Sequence, residues 1–289
     1  MGANIKYKSS VFSFLFSEQN VLRELYSAIK GVVIPDDVPV KINTLQDVLY
    51  LDRVNDISFA IGDKLVILIE HQSTINPNMC LRLLMYIDRV YERLIGGDKK
   101  IYSTKLIPIP RPEFFVLYNG VAPYPDEKTL KLSDAFESGE SLGLPDKADP
   151  ALELVVRVIN INHGRNEWMV NRCKTLAGYS AFVGKVQEYE KEKLDREEAI
   201  GKAVKYCMEH NILKEFLTQN ATEVINMLTT EWNWDDALAV RYEEGREEGM
   251  EKGREEVARS ALAEGATFDF VQKITGLDVE TIKKLKDKK

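Results

Sequence analysis

Apolar and polar positions change rhythm near the middle of the chain. Up to about residue 161, compact apolar runs are separated by loops; beyond about 166, apolar positions recur at helical spacing among dense charges. Residues 10–30, SVFSFLFSEQNVLRELYSAIK, set Val11, Phe14, Leu15, Val21, Leu22, Leu25 and Ile29 mostly at helical spacing, with a break marked by Ser17, Gln19 and Asn20. Pro35 and Pro39 then punctuate a loop. Strands are expected at 47–51 (DVLYL), 56–61, 65–70, 114–118 (FFVLY) and within 152–161 (LELVVRVINI). The unbroken Leu-Val-Ile-Leu-Ile run from Leu65 is the pattern of a central strand covered on both faces. After Pro77, Cys80, Leu83, Leu84, Ile87, Val90, Tyr91 and Leu94 predict an amphipathic helix over 79–95, with Arg82, Tyr86, Arg89 and Arg93 on another face. Strand, helix and strand at these lengths make a βαβ unit with parallel strands and a right-handed crossover.

Residues 166–263 read as helices with charged faces, as in EYEKEKLDREEA and RYEEGREEGMEKGREEVAR. Gly245, Gly249 and Gly253 recur every fourth residue. Among charged neighbours they predict a weak helix, since each Gly costs about 1 kcal/mol against Ala. The final TFDFVQKITGLDVETIKKL has the rhythm of a helix-turn-helix, with helices at 268–275 and 279–285. The chain therefore divides into an α/β core over 1–163, a charged helical region over 164–263 and a small helix-turn-helix-like segment over 264–289.

Composition narrows this picture. With 44% hydrophobic and 29% charged residues among 289, the chain has the balance of a globular protein. No apolar run approaches the roughly 18 residues that span a bilayer. No apolar signal core follows MGANIKYKSS, so a cytoplasmic location is expected. Cys80, Cys173 and Cys207 form no CxxC pair and read as buried thiols rather than disulfides or zinc ligands. A net charge of −7 means that any nucleic-acid contact must come from a local basic surface or from metal ions bridging to phosphate.

The stretch NDISFAIGDKLVILIEHQST, residues 55–74, poses the chemical question. One apolar run opens on Asp56, and the next ends on Glu70, His71 and Gln72. A carboxylate closing such a strand either reaches solvent or is paired, because burying it alone is costly. In an antiparallel hairpin, a two-residue turn at Gly62-Asp63 pairs 61 with 64 and turns Asp56 and Glu70 to opposite faces. An odd-length turn or a bulge pairs 61 with 65 and sets Asp56 opposite Glu70, with Cβ atoms about 5 Å apart. Two carboxylates side by side repel unless a cation lies between them. Gln72 shares the face of Glu70, while His71 points away. Oxygen ligands in this pattern suit Mg2+ or Mn2+. Such an ion activates water and clamps the oxygens of a phosphodiester.

These segments resemble a known family. NDISFAIGDKLVILIEHQSTINPNMCLRLLMYIDRVYERL, PEFFVLYNG, EEGREEGMEKGREE and ITGLDVETIKKL are similar to the recombination-promoting nuclease and transposase family of bacteria, within the PD-(D/E)XK nuclease superfamily. The likeness runs through nearly the whole chain. It implies a restriction-endonuclease-like αβββαβ core with a helical C-terminal extension, and a Mg2+- or Mn2+-dependent DNA endonuclease site. It further implies Asp56 and Glu70 as catalytic metal ligands, Gln72 in the place of a Lys, and the backbone carbonyl of His71 as another metal contact. The chain departs from the pattern at Asn55, which replaces a Pro, and at Gln72, which orients water but supplies no positive charge. It departs again at Ser9, where relatives often carry an acid; Glu18 and Glu24 are nearby acids able to substitute.

Arg82, Arg89 and Arg93 follow the Glu70 strand and either face phosphate or pair with Asp88 and Glu92. Lys283 and Lys284, with Lys286, Lys288 and Lys289, make the last helix basic and suited to DNA phosphate, although such units also serve only to pack proteins together. The charge run over 241–259 reads as a solvated or self-associating helix, consistent with a homo-oligomer. The reading is thus a DNA endonuclease tied to recombination or transposition. The alternative is a nuclease-fold protein that binds DNA or a protein partner without cutting, which Ser9 and the acidic net charge favour.

Overall fold

The computed structural model describes residues 11–43, 57–96, 101–143 and 150–287. The chain forms two compact units, Met1–Glu231 and Trp232–Lys289. The first is mixed α/β, built on a six-stranded open sheet.

Its opening helical pattern breaks where the polar residues interrupt it, giving α1 (Val11–Leu15) and α2 (Gln19–Lys30). β1 (Val40–Ile42) leads to a hairpin of β2 (Ile57–Ile61) and β3 (Leu65–Gln72). Then α3 (Met79–Ile95) carries the chain to β4 (Arg111–Tyr118), and β5 (Glu127–Lys131) precedes β6 (Val155–Asn160). Across the sheet the order is β1-β2-β3-β4-β6-β5. β3 and β4 run parallel with α3 as their connection, the expected βαβ unit. β3 is central, and its Val66, Ile67, Leu68 and Ile69 are fully buried.

Strand alternation divides the core into two faces. Val66, Leu68, Val116, Tyr118, Val156 and Val158 pack with Met79, Leu83, Ile87 and Val90 of α3. The opposite face meets the first helices: Phe115 touches Tyr26 of α2, and His71 stacks on Phe12 of α1. Tyr86, expected on the arginine face of α3, is instead buried in the apolar core, while Leu94 of the expected apolar stripe is exposed.

β3 and β4 are longer than their apolar runs predict, and β1 and β5 were not legible at all. Both short strands sit at the sheet's edges, where exposed positions dilute the apolar signal; the EKTLK of β5 has no buried residue. Pro112 lies in β4 before the pairing with β6 begins at Phe115, so its missing N–H costs no ladder bond on that side. The strand expected at 47–51 lies outside the described residues.

Helices α4 (Glu167–Val170), α5 (Lys174–Lys191), α6 (Arg196–Glu209) and α7 (Lys214–Ala263) follow. The glycines do not break α7, whose non-helical backbone is at Asn220; a Cβ at Gly249 or Gly253 would meet open space. In the second unit, α8 (Phe268–Thr275) and α9 (Val279–Asp287) form the expected helix-turn-helix. Val271, Ile282 and Leu285 pack there against Ala258 and Leu262. Thr267 caps α8 through Phe270 N, and Asp278 accepts from Thr281 N at the start of α9.

The parallel pair β3–β4 ends in a tight crossing. Asn119 N donates to Gln72 O, and a Cβ on Gly120 would lie 1.8 Å from the Ser73 carbonyl oxygen. Only a residue without a side chain fits there, so Asn119-Gly120 is a close approach rather than a simple turn. Gly120→Ala is expected to lower unfolding free energy by about 2 kcal/mol or more, read as a reduced urea midpoint at unchanged slope.

Candidate functional site

Glu70 is the last buried residue of β3, with 2% of its surface exposed. Alternation places it on the α3 face, in line with Val66 and Leu68 and beside Val116 of β4. Arg82, one turn into α3, donates from Nη2 to Glu70 Oε2 at 2.8 Å. The same Nη2 lies 3.4 Å from the Tyr86 hydroxyl, and Nη1 lies 3.6 Å from Met79 Sδ. The spacing Met79, Arg82, Tyr86 sets one face of the helix against the end of the strand. Arg82 therefore serves the carboxylate directly, a partner that neither phosphate contact nor pairing with Asp88 and Glu92 foresaw.

Gln72 follows on the same face. Its Nε2 donates to Met79 Sδ at 2.8 Å, so the Gln72 and Arg82 side chains meet at one sulfur. Gln72 also lines a recess of about 10 Å3 with Asn76, Met79 and Tyr124, about the volume one water occupies.

The hairpin adopts the odd-length register. Gly62, Asp63 and Lys64 form the loop, Ile61 pairs with Leu65, and pairing runs on to Ile57 opposite Ile69. Gly62 enters the loop with a φ of 56°, a conformation that side chains disfavour. This is the register under which the sequence reading sets Asp56 opposite Glu70; Asp56 itself lies outside the described residues, as does Ser9.

A hard cation is expected here; the donors that would hold it are the Glu70 carboxylate, the Gln72 amide oxygen and the His71 backbone carbonyl. Ser58 adds an observation of its own. It shares the Glu70 face, diagonal to it across the β2–β3 pair, and its buried Oγ has no hydrogen-bond partner among the described residues. Water from a cation's shell would satisfy that hydroxyl. Among the described residues no cluster of three or more His, Cys, Asp and Glu is present.

His71 faces the other way, as alternation requires. Its ring stacks on Phe12 at 4.7 Å and 14°, and its Nε2 lies 3.0 Å from the Tyr179 hydroxyl of α5. Asn119 Nδ2 donates to the same hydroxyl at 3.3 Å. The residue keeps a little exposed surface, but its ring is enclosed. Burial pushes the imidazole down to about 4, against a hydrogen bond with Asn119 that raises it. The cluster fixes the end of β3 from behind. Nothing in the sequence announced it beyond His71's place on the far face, because α1 and α5 are distant along the chain.

The remaining candidates are dispersed. Arg89 is partly buried and Arg93 exposed on α3. Lys283 and Lys284 are exposed on α9, in the second unit. Glu24, a possible stand-in for the acid missing at Ser9, accepts from Lys174 N at 2.7 Å and caps α5 instead. Glu18 lines a cleft of about 930 Å3 with Phe14, Lys174, Leu213 and Phe216. The three cysteines are buried thiols, with Cys173 pushed up to about 12 and Cys207 to about 11 chiefly by burial. Among the described residues no helix is long and apolar enough to cross a membrane.

Residues 45–173 match the family model described as "Putative transposase, YhgA-like". The matched stretch takes in β2 to β6 and α3, and with them Glu70, Gln72 and Arg82. It is shorter than the expected resemblance, which ran to the last helices. No curated protein and no solved structure matches the chain significantly. The family match supports a transposition-related function.

The buried imidazole makes stability depend on pH. Unfolded, His71 titrates near 6.5; folded, near 4. Between these values the unfolded chain binds a proton that the folded chain refuses. The contribution is therefore complete above about pH 6.5 and falls as pH drops toward 4, by up to about 3 kcal/mol. Urea unfolding at pH 7 and pH 4.5 is expected to show a larger loss for the wild type than for His71→Gln.

Proposed function

We propose that the chain is a metal-dependent DNA endonuclease with a transposition-related role, built on a restriction-endonuclease-like core. The observation that carries this reading is Glu70: a carboxylate 2% exposed at the end of an apolar central strand, with Gln72 beside it, inside the stretch that matches the transposase family. Asp56 and Glu70, with the His71 carbonyl, would hold Mg2+ or Mn2+. The bound ion would supply water activation and charge compensation at phosphate. Glu70 would hold the ion from the buried strand beneath it. Gln72, anchored at its amide nitrogen by Met79, would orient the attacking water through its oxygen. Arg89 and Arg93 would meet the DNA backbone from α3, and Lys283 and Lys284 from α9. The charged helices of the C-terminal part would join two copies of the chain.

A second reading has its own support. Arg82 already neutralises Glu70 at 2.8 Å, as a site that binds DNA or a partner without cutting would allow. Supercoiled plasmid incubated with Mg2+ or Mn2+ separates the two. The endonuclease reading expects nicking that Glu70→Ala and Asp56→Ala each reduce at least 100-fold. Nicking that survives Glu70→Ala discards the site, and a gel shift without nicking under either ion leaves the binding reading. For the basic helix, Lys283→Ala with Lys284→Ala is expected to weaken DNA binding across sequences and to flatten the log–log salt slope by about 1–2.

A further inference from the structure

The site as described has an anion at Glu70 and a neutral amide at Gln72, yet phosphodiester cleavage gathers negative charge on the phosphate as it proceeds. A cation of the protein's own would add to the charge compensation expected of the ion, and one lies beside the carboxylate. Arg82 reaches Glu70 at 2.8 Å, shares Met79 Sδ with Gln72, and keeps 31% of its side chain exposed where Glu70 keeps 2%. Its guanidinium thus joins the buried carboxylate to the Met79 sulfur that Gln72 also contacts, and is itself partly open to solvent.

We infer that Arg82 is a catalytic residue with two successive partners. Without metal it neutralises Glu70. With a divalent cation held by the carboxylate, the guanidinium would turn to the scissile phosphate and supply the positive charge that Gln72 lacks. This rests on the endonuclease reading above. The chemistry favours the exchange. A divalent ion competes well against one guanidinium for a carboxylate, and the planar fork of Arg suits two phosphate oxygens as well as it suits a carboxylate. In the step itself, a water oxygen forms a bond to phosphorus and the bond from phosphorus to the leaving sugar oxygen breaks with its electron pair. The water's proton passes to solvent, the leaving oxygen takes up a proton, and Arg82 keeps its own protons throughout, holding the charge on the non-bridging oxygens.

The test uses the full chain and two readouts. Free Mn2+, followed by electron paramagnetic resonance, gives metal affinity; single-turnover cleavage of a DNA duplex at saturating Mn2+ gives rate. Arg82→Ala is expected to bind Mn2+ several-fold tighter, because the competing cation is gone, and to cleave about 100-fold slower. Arg82→Lys keeps the charge and the fold without the fork, and is expected to recover at least tenfold of that rate. These opposite movements of affinity and rate are what a merely structural ion pair would not produce.

Wild-type cleavage rate in Arg82→Ala at saturating metal overturns the inference. So does a joint loss of Mn2+ affinity and melting temperature that Arg82→Lys does not repair. Cutting by the wild type that Glu70→Ala abolishes preserves the endonuclease reading whatever Arg82 does. A wild type that never cuts removes that reading and this inference together.

Discussion

Everything at this site follows from the cost of keeping one carboxylate dry. Glu70 occupies a position that strand geometry and the neighbouring apolar residues would give to Ile or Val. Its charge has to be met within reach, because an isolated anion in such surroundings would instead take up a proton. The guanidinium of Arg82 meets it. That requirement ties α3 to β3 at a defined turn, with Met79 and Tyr86 lining the same contact. Buried ion pairs add little net stability against an apolar replacement, so this pair is weak evidence of a brace for the fold.

The two sides of β3 divide the labour. On one side, Glu70 and Gln72 face α3. On the other, His71 is enclosed by Phe12, Tyr179 and Asn119, and its neutral ring makes a firm backing. Three segments far apart in the chain thus converge on one residue whose side chain takes no part in the proposed chemistry. The strand end is held from behind so that its front presents a fixed geometry, a condition that precise placement of reacting groups demands.

The amphipathic period of residues 79–95 and the unbroken run before Glu70 were strong signals, and α3 and the central place of β3 follow from them. Whether the hairpin turned in two residues or three was left open by Gly62-Asp63-Lys64, since both turns suit these residues; the sheet takes three. Edge strands β1 and β5 were hidden because strands half in water lose their apolar signature. At the site, the face of Gln72 and the opposite aspect of His71 were readable from alternation alone. Arg82's partner was not, since helical spacing names its neighbours on the helix and is silent about the strand packed below. Tyr86 shares a face with Arg82 as its spacing implies, but its burial was not readable.

The hairpin loop carries a constraint of an unusual kind. Ile61 opposite Leu65 fixes how all of β2 is phased against β3. Exchanging Asp63 or Lys64 for another residue leaves that phase untouched. Losing or gaining a single codon there would rotate every side chain of β2 to the reverse side, carrying Ser58 away from Glu70 and its own apolar residues out of the core. Drift in composition is cheap at this loop, and an indel is not.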